Sequence, residues 1–414
     1  MSDDEPTIAE ITIRLTPRAV GHDPAFPFLM GIPVSDGAQT IASVHRTPGG
    51  TVERDARGNA LWFGVASSDQ AIRLALRWTC RGYRLGSSRL DLPGPTTRDR
   101  DAEILVNWDE AMKARAEELT RCASTDLERA RAIFRHIRDS LRYRYPPRGR
   151  GARTTVASGE GDCGEYAFVF CAMCRAIGLA ARPVFGWLVA TGMGNTPHAW
   201  AEVFVDDQGW IPVDAQLAGQ IRDFADALAI PNDPDFLFGN LDRCRLAISR
   251  GTGHAWPQAD RPIVKVRRKW LTLPIDGEDV QFWQEVPGGQ VPYLQLPYII
   301  TTRPRRFGIR AALDGLHAMQ AIVVRAPKTH RAWGPRILWM MMIAWGVLAI
   351  SDDLIGRSRP LDAVAAGLGV SISVLALTLM IRHATRRVLH SAVFVVFALA
   401  SARMVLRLLD LAAG

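Results

Sequence analysis

Cysteine is sparse and unpatterned in this chain of 414 residues. Cys80, Cys122, Cys163, Cys171, Cys174 and Cys244 show no regular spacing, which excludes a disulfide scaffold and suits a reducing compartment. Cys171 and Cys174 do form a Cys-x-x-Cys, but no second ligand pair stands near them, so they are expected to pack in a core, and no metal or cofactor is expected. The start, Met1-Ser2-Asp3-Asp4-Glu5-Pro6, is acidic and lacks a short apolar core with a small-residue cleavage site, so no signal peptide is expected. Acidic residues run short only near the end: residues 1–300 carry 35 Lys/Arg against 37 Asp/Glu, whereas 301–414 carry 15 against 5. The net charge of +8 is therefore local to the part that also holds the longest apolar runs. It reads as membrane orientation, and no nucleic-acid partner is expected.

With 48% hydrophobic and 22% charged residues, the rest has the composition of a folded protein of two or three domains. Alternation of apolar and polar residues in Ile11–Leu15, Ala60–Val65 and Ile72–Trp78, with a turn at Asp55-Ala56-Arg57-Gly58-Asn59, predicts a small antiparallel β domain, a sandwich, over residues 1–89. Leu90 to Asp101 reads as a linker on its Pro, Gly and charge content. Helical spacing follows. Thr125 and Glu128 form a capping box, and Leu127, Ala130, Phe134, Ile137 and Leu141 recur at three- and four-residue steps.

After a Gly/Arg/Ser-rich loop from Pro147 comes Gly161-Asp162-Cys163-Gly164-Glu165-Tyr166, a turn that starts an apolar helix running to Ile177. Cys163 falls at the N-terminus of that helix, where unpaired backbone N–H groups and the helix dipole favour a thiolate. Strands are predicted next at Arg182–Val189, His198–Val205 and Trp210–Asp214, the last two joined by Asp206-Asp207-Gln208-Gly209. A thiolate nucleophile needs a base, and the base needs a group to fix its tautomer. His198 and Asp214 lie on the hairpin strands and supply both types. The register is left open: a tight loop at Asp207 and Gln208 sets Asp214 opposite Ala201, and a bulge at Gly209 or Pro212 would bring it to His198.

Gly161-Asp162-Cys163, Pro197-His198-Ala199-Trp200-Ala201-Glu202-Val203 and Gly209-Trp210-Ile211-Pro212-Val213-Asp214 resemble the three-block signature of the bacterial transglutaminase-like family, relatives of papain-type thiol enzymes. Arg175 to Val184 matches that family's segment after the nucleophile helix, and the likeness extends over residues 25–255 once Leu237–Asp242 and Ser249-Arg250-Gly251 are included. The resemblance implies an α+β, papain-like catalytic domain over residues 101–262, with Cys163 as nucleophile, His198 as base and Asp214 as orienting carboxylate. The Cys163 backbone N–H is the natural oxyanion donor. His254-Ala255-Trp256 repeats the triplet at His198 but runs into Pro257 and is expected to be loop.

Residues 263–336 are expected to be a connector ending in a basic juxtamembrane stretch, with about three membrane helices in 337–414, at Ile337–Ile350, Ala363–Ile381 and Val388–Ala402. Arginines before Ile337 and at Arg382, Arg386 and Arg387 would place the catalytic domain on the cytoplasmic side of the inner membrane. The expected protein is a membrane-anchored thiol enzyme acting on protein or peptide amides, with lipid, and a membrane protein where one binds, as its other partners. Hydrolysis is favoured because no amine-acceptor site can be read. A cross-linking or amine-transferring acyltransferase is the alternative, and a non-catalytic peptide-binding membrane scaffold is the alternative of another class.

Overall fold

The computed structural model describes residues 5–15, 25–67, 70–190 and 194–255, with short segments at 263–265, 272–275, 278–281, 290–295, 298–300 and 322–325 and isolated positions at 342, 344 and 371–372. By its contacts the chain divides into residues 1–190 with 195–327, and residues 191–194 with 328–414. The architecture below is that of the first unit.

Alternation builds the N-terminal strands. In β6 (Ile72–Cys80), Ile72, Leu74, Leu76, Trp78 and Cys80 are buried while Arg73 and Arg77 face out, the period of two that a half-covered sheet requires. It lies between β1 (Thr7–Leu15) and β3 (Gln39–Thr47), and residues 322–325 extend this sheet beyond β1. A second sheet holds β2 (Ala25–Ile32), β5 (Ala60–Ser67) and β4 (Thr51–Arg54), with the predicted turn at 55–59 closing β4 onto β5. Residues 298–300 pair with β2 and residues 263–265 with 298–300, so segments from beyond residue 262 complete both N-terminal sheets.

The expected linker is anchored. Thr97–Asp99 forms a single tight turn, and buried Asp99 accepts a 2.7 Å hydrogen bond from Arg57 Nε. Two helices appear where periodicity was too weak to announce them. In α1 (Glu110–Thr120) only Met112, Ala116 and Thr120 are buried, and α3 (Ala152–Ser158) occupies part of the Gly/Arg/Ser-rich loop. The capping box of α2 (Asp126–Ser140) forms as predicted, with Thr125 Oγ1 accepting from Glu128 N at 3.2 Å, and Ala130, Ile133, Phe134 and Ile137 make its buried face.

The helix that begins at the nucleophile candidate, α4 (Cys163–Ala176), is buried at every position from Gly164 to Arg175, as its all-round apolar sequence demands. It packs on the sheet of β12 (Gly209–Val213), β11 (Gly194–Val205), β10 (Ala181–Ala190) and β14 (Arg245–Arg250), in that order, for example through the rings of Phe168 and Phe185. Trp187, Val189, Leu246 and Ile248 of this sheet share a core with β1, β2, β5 and β6. His254–Ala255, expected to be loop, pairs with Gln290–Val291, a partner supplied from more than thirty residues downstream. The three C-terminal apolar segments lie outside the described residues. Among the described residues, no helix is long and apolar enough to cross a membrane.

Candidate active site

Each of the three candidate residues is placed by a local rule. Asp162 is the N-cap of α4, its Oδ1 accepting from Gly164 N at 2.9 Å, which leaves Cys163 as the first helical residue. Gly161 is required here: a Cβ at this position would lie 2.4 Å from Glu165 Cβ, because the helix turns back onto the strand that feeds it. Cys163 is half-buried and opens into a cavity of about 300 Å³, lined also by Tyr143, Tyr145, Arg150, Phe185, Pro197, Ala199, Tyr293 and Gln295.

The open question of register is resolved by loop length. Val205 pairs with Gly209 and Ala201 with Val213, so the β11–β12 loop has three residues and Gly209 adopts the left-handed conformation at φ 75°. One residue of register decides which face a side chain takes. With the tight loop, Asp214 would share its position with Ala201, on the face opposite His198. The three-residue loop puts Val213 there instead, and Asp214 leaves β12 on the His198 side. This is the bulge expected at Gly209: Gln208 N donates to Val205 O at 2.9 Å, left-handed Gly209 closes the turn, and the ladder from Gly209 to Val213 runs on in unbroken register.

Asp214 then serves as N-cap of α5 (Ala215–Gly219), its Oδ1 accepting from Leu217 N at 3.0 Å. Its Oδ2 is 2.7 Å from His198 Nε2 and accepts from Arg245 Nη1 at 2.6 Å. Arg245 Nε donates to Asp242 Oδ2 at 2.8 Å, so one guanidinium bridges two buried carboxylates. Burial works against the charge of Asp214, but His198, Arg245 and the hydrogen bonds outweigh it and hold this carboxyl well below the usual carboxylate range. His198 is buried beside the Trp200 ring, and its carbonyl accepts from Gln295 Nε2 at 3.0 Å. Because Nε2 is committed to Asp214, Nδ1 is the ring nitrogen available to a thiol.

The thiol itself departs from expectation. Its pKa is pushed up, first by burial and then by the negative charges of Asp162 and Asp214, against the opposing pull of the Ala199 N–H. The helix N-terminus is opposed here by burial of the sulfur first and by the nearby carboxylates second. Arg150, which lines the same cavity, donates from Nη1 to Asp162 Oδ1 at 3.3 Å and to Glu165 Oε2 at 3.0 Å. Burial and the neighbouring Asp162 nonetheless raise Glu165 well above the usual carboxylate range, with Arg150 opposing.

Residues 113–215 match the family described as the transglutaminase-like superfamily, and that segment contains Cys163, His198 and Asp214. Residues 113–215 belong to the transglutaminase-like superfamily. The transglutaminase-like region begins within α1 and ends one residue after Asp214, so Asp242, Arg245, Tyr293 and Gln295 lie beyond it. No curated protein matches the chain. Among solved structures, one named as a candidate cysteine protease from Cytophaga hutchinsonii is 14% identical, covers 73% of this chain and 98% of its own, and has a TM-score of 0.40. A candidate protease from Parabacteroides distasonis is 11% identical, with 77% and 75% covered and a TM-score of 0.24, and a TGase is 12% identical, with 43% and 44% covered and a TM-score of 0.20.

Of the three candidates named from the sequence, His198 and Asp214 are in contact and Cys163 lines the cavity; the groups around them were not named. Asp242 and Arg245 lie in or just after a block already quoted for its resemblance, and an acid and a base three residues apart after a strand pair was the available signal. Arg150 lay in an unstructured-looking loop. Tyr293 and Gln295 come from the expected connector, and nothing local marks them. Cys171 and Cys174 are buried within α4, and among the described residues no group of His, Cys, Asp or Glu is arranged to hold a metal ion.

Proposed function

We propose that this transglutaminase-like protein is a thiol enzyme that hydrolyses an amide of a protein or peptide. The observation that carries the reading is the buried His198 Nε2 to Asp214 Oδ2 contact of 2.7 Å, next to the Ala199 N–H that faces the Cys163 sulfur at the cavity. Cys163 is the nucleophile, His198 the base and Asp214 the group that fixes the imidazole tautomer.

Cys163 rests as a thiol. As its sulfur attacks the substrate carbonyl, His198 Nδ1 takes the sulfur's proton, and the imidazolium is stabilised by Asp214. The Cys163 N–H, unpaired at the first position of α4, receives the developing oxyanion. Collapse breaks the C–N bond, His198 returns the proton to the leaving amine, and a thioester remains on Cys163. Water, deprotonated by His198, then releases the acid and restores the thiol. A protonated resting thiol also protects the enzyme from idle alkylation and oxidation, since the thiolate is the reactive form. The membrane address and inner-membrane location belong to the same proposal, on the apolarity and charge of residues 337–414.

The test is turnover of peptide amides by the full chain with a labelled primary amine present. Free acid as the main product supports hydrolysis, whereas abundant amine adduct shifts the reading to the transferase. Cys163→Ala abolishes turnover and leaves the folded fraction unchanged. Alkylation of Cys163 by iodoacetamide slows in His198→Ala, because the base that removes its proton is gone; an unchanged rate would remove His198 from the mechanism.

A further inference from the structure

The segment that walls the mouth of the cavity has a second character that the proposed chemistry does not use. Arg142-Tyr143-Arg144-Tyr145-Pro146-Pro147-Arg148 alternates guanidinium and phenol. Tyr143 and Tyr145 line the cavity that exposes Cys163. The arginines between and beyond them converge on one carboxylate: Arg142 Nη2 donates to Glu160 Oε2 at 2.6 Å, while Arg144 Nη1 and Arg148 Nε lie 3.1 Å and 2.7 Å from Glu160 Oε1. The Arg142, Arg144 and Arg148 side chains are 78%, 45% and 64% exposed, and that of Glu160 only 2%.

Charge and geometry both leave this cluster unfilled. Three cations face one anion, and among the described residues no other carboxylate pairs with any of the three. Each guanidinium carries five N–H donors in a fixed fork suited to carboxylates, and the pairing with Glu160 occupies few of them. The arrangement is also held in place. Arg142 and Tyr143 form a parallel bridge with Glu160 and Gly161, and Arg144 N donates to Gly161 O at 2.9 Å, so the backbone that carries the arginines is tied to the strand entering the Cys163 turn. Arg142 and Arg144 alternate with the cavity-lining Tyr143 and Tyr145 and so face the other side of the segment, and a peptide with its acyl group at Cys163, advancing about 3.3 Å per residue, would meet the guanidiniums where it passes over the edge of this segment, several positions from the reacting bond.

We infer that Arg142, Arg144 and Arg148 form a rim that selects substrates with carboxylate side chains flanking the bond presented to Cys163. This inference rests on the thiol-enzyme reading and names its substrate class, an acidic peptide segment.

The test uses the full chain and three fluorescent decapeptides, rich in Glu, Ser or Lys, with binding read by anisotropy at low salt and protection of Cys163 from iodoacetamide read by mass spectrometry. The Glu peptide binds about ten-fold more tightly than the Ser peptide, the Lys peptide more weakly still, and the preference shrinks as salt screens the exposed pairs. Bound Glu peptide slows Cys163 alkylation. The triple Arg→Gln variant loses the preference, the triple Arg→Lys variant keeps most of it, and Glu160→Gln, which frees the three guanidiniums, increases it. Equal binding of Glu and Ser peptides, a preference that survives triple Arg→Gln, or tight binding without protection of Cys163 would each overturn the inference. So would arginine-dependent capture of phosphatidylglycerol vesicles without a Glu-peptide preference, which assigns the rim to an anionic lipid surface. Failure of the thiol-enzyme reading is seen separately, as peptide-amide turnover that persists in Cys163→Ala.

Discussion

Two arginine-centred clusters act on the candidate thiol, one through Asp214 and one through Asp162, and they hold the same formal charges with opposite results. In one, Arg245 bridges Asp214 and Asp242; in the other, Arg150 bridges Asp162 and Glu165. Each is buried and sets one cation against two carboxyl groups. Yet Asp214 is held below the usual carboxylate range, while Glu165 is raised well above it. The difference lies in the fourth neighbour. Asp214 has His198 on Oδ2 and the Leu217 N–H on Oδ1, so donors meet both oxygens. Glu165 has Asp162 beside it, and two carboxyl groups sharing one guanidinium are relieved by one of them keeping a proton. A buried cluster thus takes its protonation from its donors, and charge counting at the level of sequence does not predict it.

The largest effect that would sharpen this contrast is catalytic. Asp214→Asn keeps the size of the side chain but loses the charge and the tautomer control, so kcat is expected to fall by about 10³–10⁴-fold. A loss of less than ten-fold, measured on peptide amides with the folded fraction unchanged, would remove Asp214 from the orienting role. The next effect is on stability. Arg245→Met leaves the Asp214 and Asp242 side chains buried without their guanidinium and should cost about 3–5 kcal/mol of unfolding free energy in urea. Arg150→Met leaves a single ionised carboxylate, Asp162, which still accepts the Gly164 N–H, and should cost about 1–3 kcal/mol. Equal losses for the two variants would break the comparison.

The smallest effect is the pH dependence, and the two clusters give it opposite signs. Asp214 is lowered on folding, so its contribution is present above its unfolded pKa of about 3.9 and disappears as pH falls through the folded value. Glu165 is raised on folding, so its contribution is present below its unfolded pKa of about 4.3 and fades as pH rises towards the folded value. Glu165→Gln mimics the protonated form. The stability of the unmodified protein relative to Glu165→Gln should therefore decline as pH is raised from about 4.3, and urea titrations at several pH values read it directly. A flat difference would mean that Glu165 is ionised beside Arg150.

Much of the transglutaminase-like region was legible because its signals are local. The capping box at Thr125 and Glu128, the apolar run after Cys163 and the turn before Gly209 each act within a few residues, and each forms where it was read. The N-terminal strands announced themselves by alternation for the same reason. What failed to announce itself was decided at a distance. The short helix at Ala152–Ser158 has too few apolar positions to show a period, and the strand at His254–Ala255 exists only because Gln290–Val291 reaches it. Tyr293 and Gln295 close the cavity from a segment about 130 residues after Cys163, and Tyr293 is held there by stacking on Phe185 at 4.6 Å.

By itself the sequence determined the candidate set, Cys163, His198 and Asp214, and the order of helix and strands that carries it, because residue type and short-range periodicity are properties of the chain alone. Tertiary structure decided how those groups are tuned. The three-residue β11–β12 loop chose the face of Asp214, His198 and Arg245 hold its carboxyl low against burial, and burial, with Asp162 and Asp214 nearby, pushes the Cys163 thiol up. These are effects of burial and of neighbours brought together from distant positions, and electrostatic energy depends on that distance in space, which the linear order of residues does not contain.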